Sequence, residues 1–163
     1  MAQADFFLKI DGIEGESGDS KHKGELEIES WSWGESNSGS SGAGGGAGSG
    51  KVSMQDFHFV VKLGKHTPKL ALACATGEHI SKAKLVCRKA GGDQQEYLTI
   101  SFEDVLISSY HFGASQGGGS TLPTDQCAFN YSKIQWEYKE QKPDGSLGGA
   151  VKAGYDVKAN KKV

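Results

Sequence analysis

Apolar and polar positions alternate through most of the chain, most clearly in Gly24-Glu-Leu-Glu-Ile-Glu-Ser-Trp-Ser-Trp33, where Leu26 and Ile28 stand between glutamates and two tryptophans flank Ser32. A period of two predicts a strand with one wet face. Leu26 and Ile28 fall on even positions and Trp31 and Trp33 on odd ones, so a bulge or a change of buried face is expected near Glu29 and Ser30. Similar runs over residues 4–10, 52–63, 82–89, 96–112, 126–140 and 151–158 are bounded by glycine, proline or polar turn clusters. The chain is therefore expected to be mainly β. Residues 96–112 and 126–140 are predicted to form a hairpin whose strands exceed the usual length of about five or six residues, so they should bend or pass from one sheet into another. Lys142-Pro-Asp-Gly145 is a turn, since proline presets φ and glycine accepts a positive one.

Two stretches break the alternation. Thr67-Pro-Lys-Leu-Ala-Leu-Ala-Cys-Ala-Thr-Gly77 offers a capping threonine, an early proline, an alanine and leucine interior and a terminating glycine, which predicts one short helix. Its Leu70, Ala73 and Cys74 share a side and should cover a seam of the β layer. Residues 34–50 hold eight glycines and five serines, a composition that buries no apolar area and predicts an extended loop.

Composition narrows the function classes. At 163 residues the chain suits a single domain, 1–163, burying roughly two thirds of its unfolded surface. With 18 basic and 20 acidic residues the formal charge is -2, which gives no electrostatic case for nucleic acid or an anionic membrane. The first ten residues lack the basic and apolar regions of a secretory signal, and no segment is apolar enough to insert in a bilayer. A start in the cytoplasm is expected. Cys74, Cys87 and Cys127 are odd in number and form no CxxC pair, which argues for reduced, mostly buried thiols.

Candidate chemistry is sparse, and no catalytic residue, metal ligand or cofactor-binding residue is expected. Gly45 to Lys51 matches a phosphate-loop pattern except that Val52 replaces the magnesium-binding hydroxyl, and the residues after it alternate as a strand where that loop requires a helix. His22, His58, His66, His79 and His111 show no metal-ligand spacing. Glu78 and His79, taken as strand neighbours, would point to opposite faces and could not share a proton. Glu103 and Asp104 are expected on a wet face or an interface. The aromatics could form a stacking platform for sugars or bases, but packing in a β-barrel is the simpler account. If Trp31 and Trp33 point inward, Ser32 points outward onto a small polar surface.

Several segments together carry a family likeness: Phe7-Leu-Lys-Ile10, Glu14 to Ser17, Trp31-Ser-Trp-Gly34 with its glycine-serine loop, Lys51-Val52 with Gln55-Asp56, Thr67-Pro68, Ala83-Lys-Leu85, Arg88 to Gly92, Glu96-Tyr97 and the turn from Tyr138 to Gly145. In this order, over residues 4 to 160, the chain resembles the haemolysin-coregulated proteins (Hcp) of the type VI secretion system. The resemblance implies a small β-barrel of two sheets with one helix at its side. It also implies homohexameric rings stacked into a hollow tube like that of a phage tail, driven out of the cell by a contractile sheath, which makes the protein both a component of the machine and one of its exported products.

The partners so implied are further copies of the chain, the sheath, spike and baseplate proteins, and small effectors held in the lumen. Ser32 is the candidate lumen and effector-facing residue. Ser38, Gly39, Ser40, Ser41, Gly42, Gly44, Gly45, Gly46 and Gly48 are the candidates for reaching the next ring. Because the chain closes on Val157-Lys-Ala-Asn-Lys-Lys-Val163, no fused toxin is expected. Two other classes remain to be weighed: a monomeric ligand- or carbohydrate-binding barrel whose aromatics face a cavity, and a nucleotide enzyme built on the glycine loop.

Overall fold

The computed structural model describes residues 4–39, 51–89, 94–114 and 123–163. Two sheets lie over one apolar core. The first has the order β12-β11-β10-β8-β7-β1-β2, formed by Lys161–Lys162, Leu147–Asp156, Lys133–Gln141, Glu96–Gly113, Ile80–Lys89, Ala4–Ile10 and Leu26–Ile28. The second joins β3 (Ser30–Ser32), β6 (Phe57–Lys62) and β9 (Thr124–Asn130) to the far half of β8. Every pairing is antiparallel.

Two long chain segments serve both layers. β2 pairs with β1 through Leu26↔Leu8, and β3 pairs with β6 through Trp31↔Phe59. Between them Glu29 donates its N–H to the Val60 carbonyl at 2.8 Å. This is the phase change expected at Glu29 and Ser30, realised as a transfer from one sheet to the other. Likewise β8 pairs with β10 through Glu103↔Lys133 and with β9 beyond Leu106↔Asn130, so one strand runs into both sheets. The layers make a barrel-like wrap that stays open, because the step from β2 to β3 is made by the chain itself and β10 to β12 extend past the second sheet.

Some expected boundaries are corrected. Residues 52–63 are two strands, β5 (Val52–Met54) and β6, separated where the Gln55 N–H bonds the Gly34 carbonyl at 2.9 Å. Residues 126–140 are also two strands, parted at Tyr131 and Ser132, where the Ser132 N–H turns to the Glu103 carbonyl at 2.9 Å. The expected loop after Trp33 opens with a strand, β4 (Glu35–Asn37), which pairs with β5 through Ser36↔Ser53. Strand β7 begins at Ile80, and β11 begins at Leu147, directly after the turn.

The helix α1 spans Thr67–Thr76 and ends at Gly77, whose φ of 64° suits glycine. Thr67 lies inside the helix: His66 takes the capping position, and the Thr67 hydroxyl donates to Asp125 at 2.7 Å. Leu70 and Ala73 are its buried residues, and Cys74 is half-buried. At the centre of the core, Phe57, Phe102 and Phe129 meet with ring centroids 4.9 to 5.1 Å apart. Each such fully buried ring contributes about 1.5–3 kcal/mol by burial alone. Phe57, Phe102 and Phe129 are packed against one another at the centre of the core, as the simpler account of the aromatics expected.

The outer face of β1 and β7 is covered by residues 14–25, which have no regular structure yet are tied across themselves by Gly15 N–H to Gly24 O at 2.8 Å and Gly24 N–H to Ser17 O at 2.9 Å. Gly15 is required there, since a Cβ would come within 2.5 Å of the Glu25 carbonyl oxygen.

Candidate functional site

The site is built by alternation along β3. Trp31 turns inward, stacking on Phe57 with centroids 6.0 Å apart, and Trp33 packs at 5.4 Å from Trp136. Ser32, between them, is exposed. Its register partner is His58, which in turn pairs with Ala128 of β9, and Ala128 pairs with Ser109 of β8. The next row runs from Ser30 through Val60 and Gln126 to His111.

These two rows form the floor of a shallow depression of about 400 Å³, lined by Ser30, Ser32, His58, Ser109, His111 and Gln126 with Val60, and underlain by Trp31, Phe59 and Cys127. None of the described lining residues is Asp, Glu, Lys or Arg. The surface can donate and accept hydrogen bonds through hydroxyls, imidazoles and an amide, and it offers no fixed charge. His58 and His111, read from the sequence as scattered histidines, belong to this face. The signal for their direction was present in Phe57-His58-Phe59 and Tyr110-His111-Phe112, where a polar residue stands between aromatics. What the sequence did not carry was the register that brings three strands beside Ser32.

The loop candidates divide. Ser38 and Gly39 are described: both are exposed, and Gly39 donates its N–H to the Asn37 side-chain oxygen at 2.8 Å. Ser40, Ser41, Gly42, Gly44, Gly45, Gly46 and Gly48 lie outside the described residues, as does most of the phosphate-loop pattern. Its Val52 begins strand β5, as the alternation predicted. The base of the β4–β5 hairpin is fixed by Tyr131, whose hydroxyl meets Trp33 Nε1 and donates to the Gln55 carbonyl at 2.9 Å. Burial raises the Tyr131 phenol to about 12, so it stays a donor at any physiological pH.

The other polar clusters are structural in geometry. His79 is in the loop after α1, with Glu78, and it meets Asp104 at 3.0 Å across the fold. Ser132 Oγ donates to the other Asp104 oxygen at 2.6 Å. The carboxylate therefore stands between serine and histidine, so the imidazole cannot take the serine proton and the set is no nucleophilic triad. The Ser132 hydroxyl first, and then His79, hold the Asp104 carboxyl below its usual range. Asp104 is exposed, as expected for a wet face, and its φ of 54° is unusual for a non-glycine residue.

Within the fold, Asp125 is fully buried beneath α1 and accepts from Thr67 at 2.7 Å and Tyr110 at 2.5 Å, with His66 Nε2 at 3.3 Å. Cys87 and Cys127 are buried and free, and burial pushes both thiols up to about 12. Among the described residues no group of three or more His, Cys, Asp or Glu is placed to hold a metal ion. Among them also, no helix is long and apolar enough to cross a membrane.

Comparison with known proteins adds to this geometry. The family model described as "Type VI secretion system effector, Hcp" matches residues 7–138. The protein hcp1 of Pseudomonas aeruginosa is 48% identical over 158 residues, which is 96% of either chain. Among solved structures, Hcp1 from Salmonella typhimurium is 36% identical with a TM-score of 0.81, over 99% of this chain and 100% of that one. A type six secretion system protein is 30% identical with a TM-score of 0.91, over the same shares.

Proposed function

This chain belongs to the Hcp family of type VI secretion proteins, a structural and secreted family rather than an enzymatic one, and from that premise we propose that it is the repeating subunit of the secretion tube. Single-domain copies close into hexameric rings, rings stack into a hollow tube, and the tube leaves the cytoplasm through the sheath, spike and baseplate. The depression around Ser32 faces the lumen and holds small effectors until they are delivered.

The observation that carries this reading is the two-row face from Ser30 and Ser32 to Ser109 and His111. It is mostly polar and, among the described residues, without fixed charge. A channel wall with these properties stays wetted and offers hydrogen bonds to a folded cargo, while no charge cluster traps cargo on the way out. Ser38 to Gly48 reach the neighbouring ring.

The test is the solution mass of the purified protein together with negative-stain images of the same fraction. A mass of about six times the 17.3 kDa chain with ring-shaped particles is expected, in keeping with closed cyclic symmetry. A stable monomer without rings overturns the reading.

A further inference from the structure

The chain's charges nearly cancel in sum but are segregated along it. Residues 24–50 contain Glu25, Glu27, Glu29 and Glu35 and no lysine or arginine, whereas residues 147–163 contain Lys152, Lys158, Lys161 and Lys162 against Asp156 alone. Folding sets these stretches at opposite ends of one sheet, β2 at one end and β11 with β12 at the other. Both ends are open. Among the described residues β2 pairs only with β1 and β3 only with β6, while β12 and Val163 cover just Gly154, Tyr155 and Asp156 of β11, so that Leu147 to Ala153 have β10 on one flank and no strand on the other.

The charges at these ends are available. Glu27, Glu29, Lys161 and Lys162 are exposed. Glu29 reaches Lys62 only at 3.9 Å and Lys152 reaches Glu137 only at 3.8 Å, contacts that count for little between solvated side chains. Beside the basic end lies apolar surface. Tyr138 and Val151 are cross-strand partners, 50% and 73% exposed, and Leu98 stands in register with Tyr138 on the other side. They continue the line of Ile134 and Trp136 beyond the reach of the second sheet. An open strand edge carrying exposed aromatic and aliphatic side chains is a pairing surface unless something covers it.

We propose that the acidic β2–β3 edge of one copy docks on the basic β11–β12 edge of the next copy, with Tyr138 and Val151 as the apolar centre of the contact. This rests on the ring reading and names the surfaces that build the ring. Two unlike edges give a head-to-tail interface, the kind that can repeat until it closes. A two-fold pairing through either edge would set glutamates against glutamates or lysines against lysines, so the charge pattern selects the cyclic arrangement over the isologous dimer. Complementary charge of this kind governs orientation and the rate of encounter, and the apolar centre supplies much of the adhesion.

The experiment compares four full-length proteins by sedimentation over a dilution series, with circular dichroism to verify folding. Glu27→Lys with Glu29→Lys, and separately Lys161→Glu with Lys162→Glu, are each expected to weaken association at least about tenfold, and the variant combining all four to recover to within about threefold of the unaltered protein. Edge reversals that assemble like the unaltered protein, or a folded fourfold variant that stays dissociated, overturn the proposal while leaving the ring intact as a reading. If a reversal does not fold, the unaltered protein decides: its association should weaken about tenfold between about 0.05 and 0.5 M salt, and indifference to salt counts against charge-directed docking. An unaltered protein that is monomeric at every salt concentration refutes the ring, and this contact with it.

Discussion

The imidazole of His22 lies flat on the ring of Phe7, with 4.3 Å between centroids and 10° between planes. Its Nδ1 is 2.9 Å from Glu25 and its Nε2 2.7 Å from Glu96, so the buried ring is stacked through its face and held at both nitrogens. The Arg88 guanidinium sits 4.7 Å from the same Phe7 ring and donates to Asp5 and Asp19 at 3.0 and 2.9 Å. Together these contacts fasten residues 14–25 over β1 and β7.

Removing the stack exposes the weakness of an irregular cover. His22→Ala is expected to lower unfolding free energy by about 1–3 kcal/mol, from lost hydrogen bonds and lost packing on Phe7. Chemical denaturation of the two proteins side by side measures it, and an unchanged midpoint would show that the cover is held by its backbone bonds alone.

The same cover should respond to acid through Asp19. The Arg88 hydrogen bond, and then the Lys21 N–H, hold this carboxyl at about 2 against an ordinary 3.8. A depressed value means that the charged form is favoured in the folded chain. Its contribution is therefore complete above pH 3.8 and is lost as pH falls toward 2. Hydrogen exchange of residues 14–25 should show this protection step, and Asp19→Asn should abolish it.

Thiol chemistry should be selective. Cys87 and Cys127 are buried and their thiols are raised to about 12, so a maleimide applied near neutral pH to the folded protein should label Cys74 first, if it labels any. Rapid modification of all three before unfolding would contradict the packing around β7 and β9.

Ser32 is exposed on a strand whose neighbours are tryptophans, so a bulky replacement such as Ser32→Trp should cost folding stability less than about 0.5 kcal/mol. Ring mass should persist while co-purifying effector is lost. Loss of the ring instead would move Ser32 from the lumen to a subunit contact.

Deleting Ser38 to Gly48 removes residues that lie outside every described strand. Rings of unchanged mass that no longer stack or leave the cell are the expected result. Normal export of the deleted protein would transfer the stacking role elsewhere.

Alternation made the β class legible, and even the transfer at Glu29 could be read, because a two-residue period reports each change of buried face. Partnership was less legible. The break at Tyr131 and Ser132 leaves no clear mark in the pattern, since it arises from a turn of the Ser132 N–H toward Glu103 of another strand. Thr67 looked like a helix cap and instead donates to Asp125, a residue 58 positions away that no local rule could supply. For the same reason Ser32 could be given a direction from its flanking tryptophans, while His58, Ser109 and His111 could not be gathered around it. Asp104 was expected on a wet face or an interface, but its bonds depend on the loop that carries His79 and on the break between β9 and β10 that carries Ser132.

The chain crosses between layers at Glu29 in a single peptide step, so the two sheets are spliced by covalent bonds at that corner. A hydrogen-bonded seam under tension opens one rung at a time, each rung being weak. A backbone splice has no rungs to open: pulling β2 away from β3 must draw out the segment between Ile28 and Ser30 itself. That corner acts as a hoop, converting a force that would part β2 from β3 into one that stretches a chain.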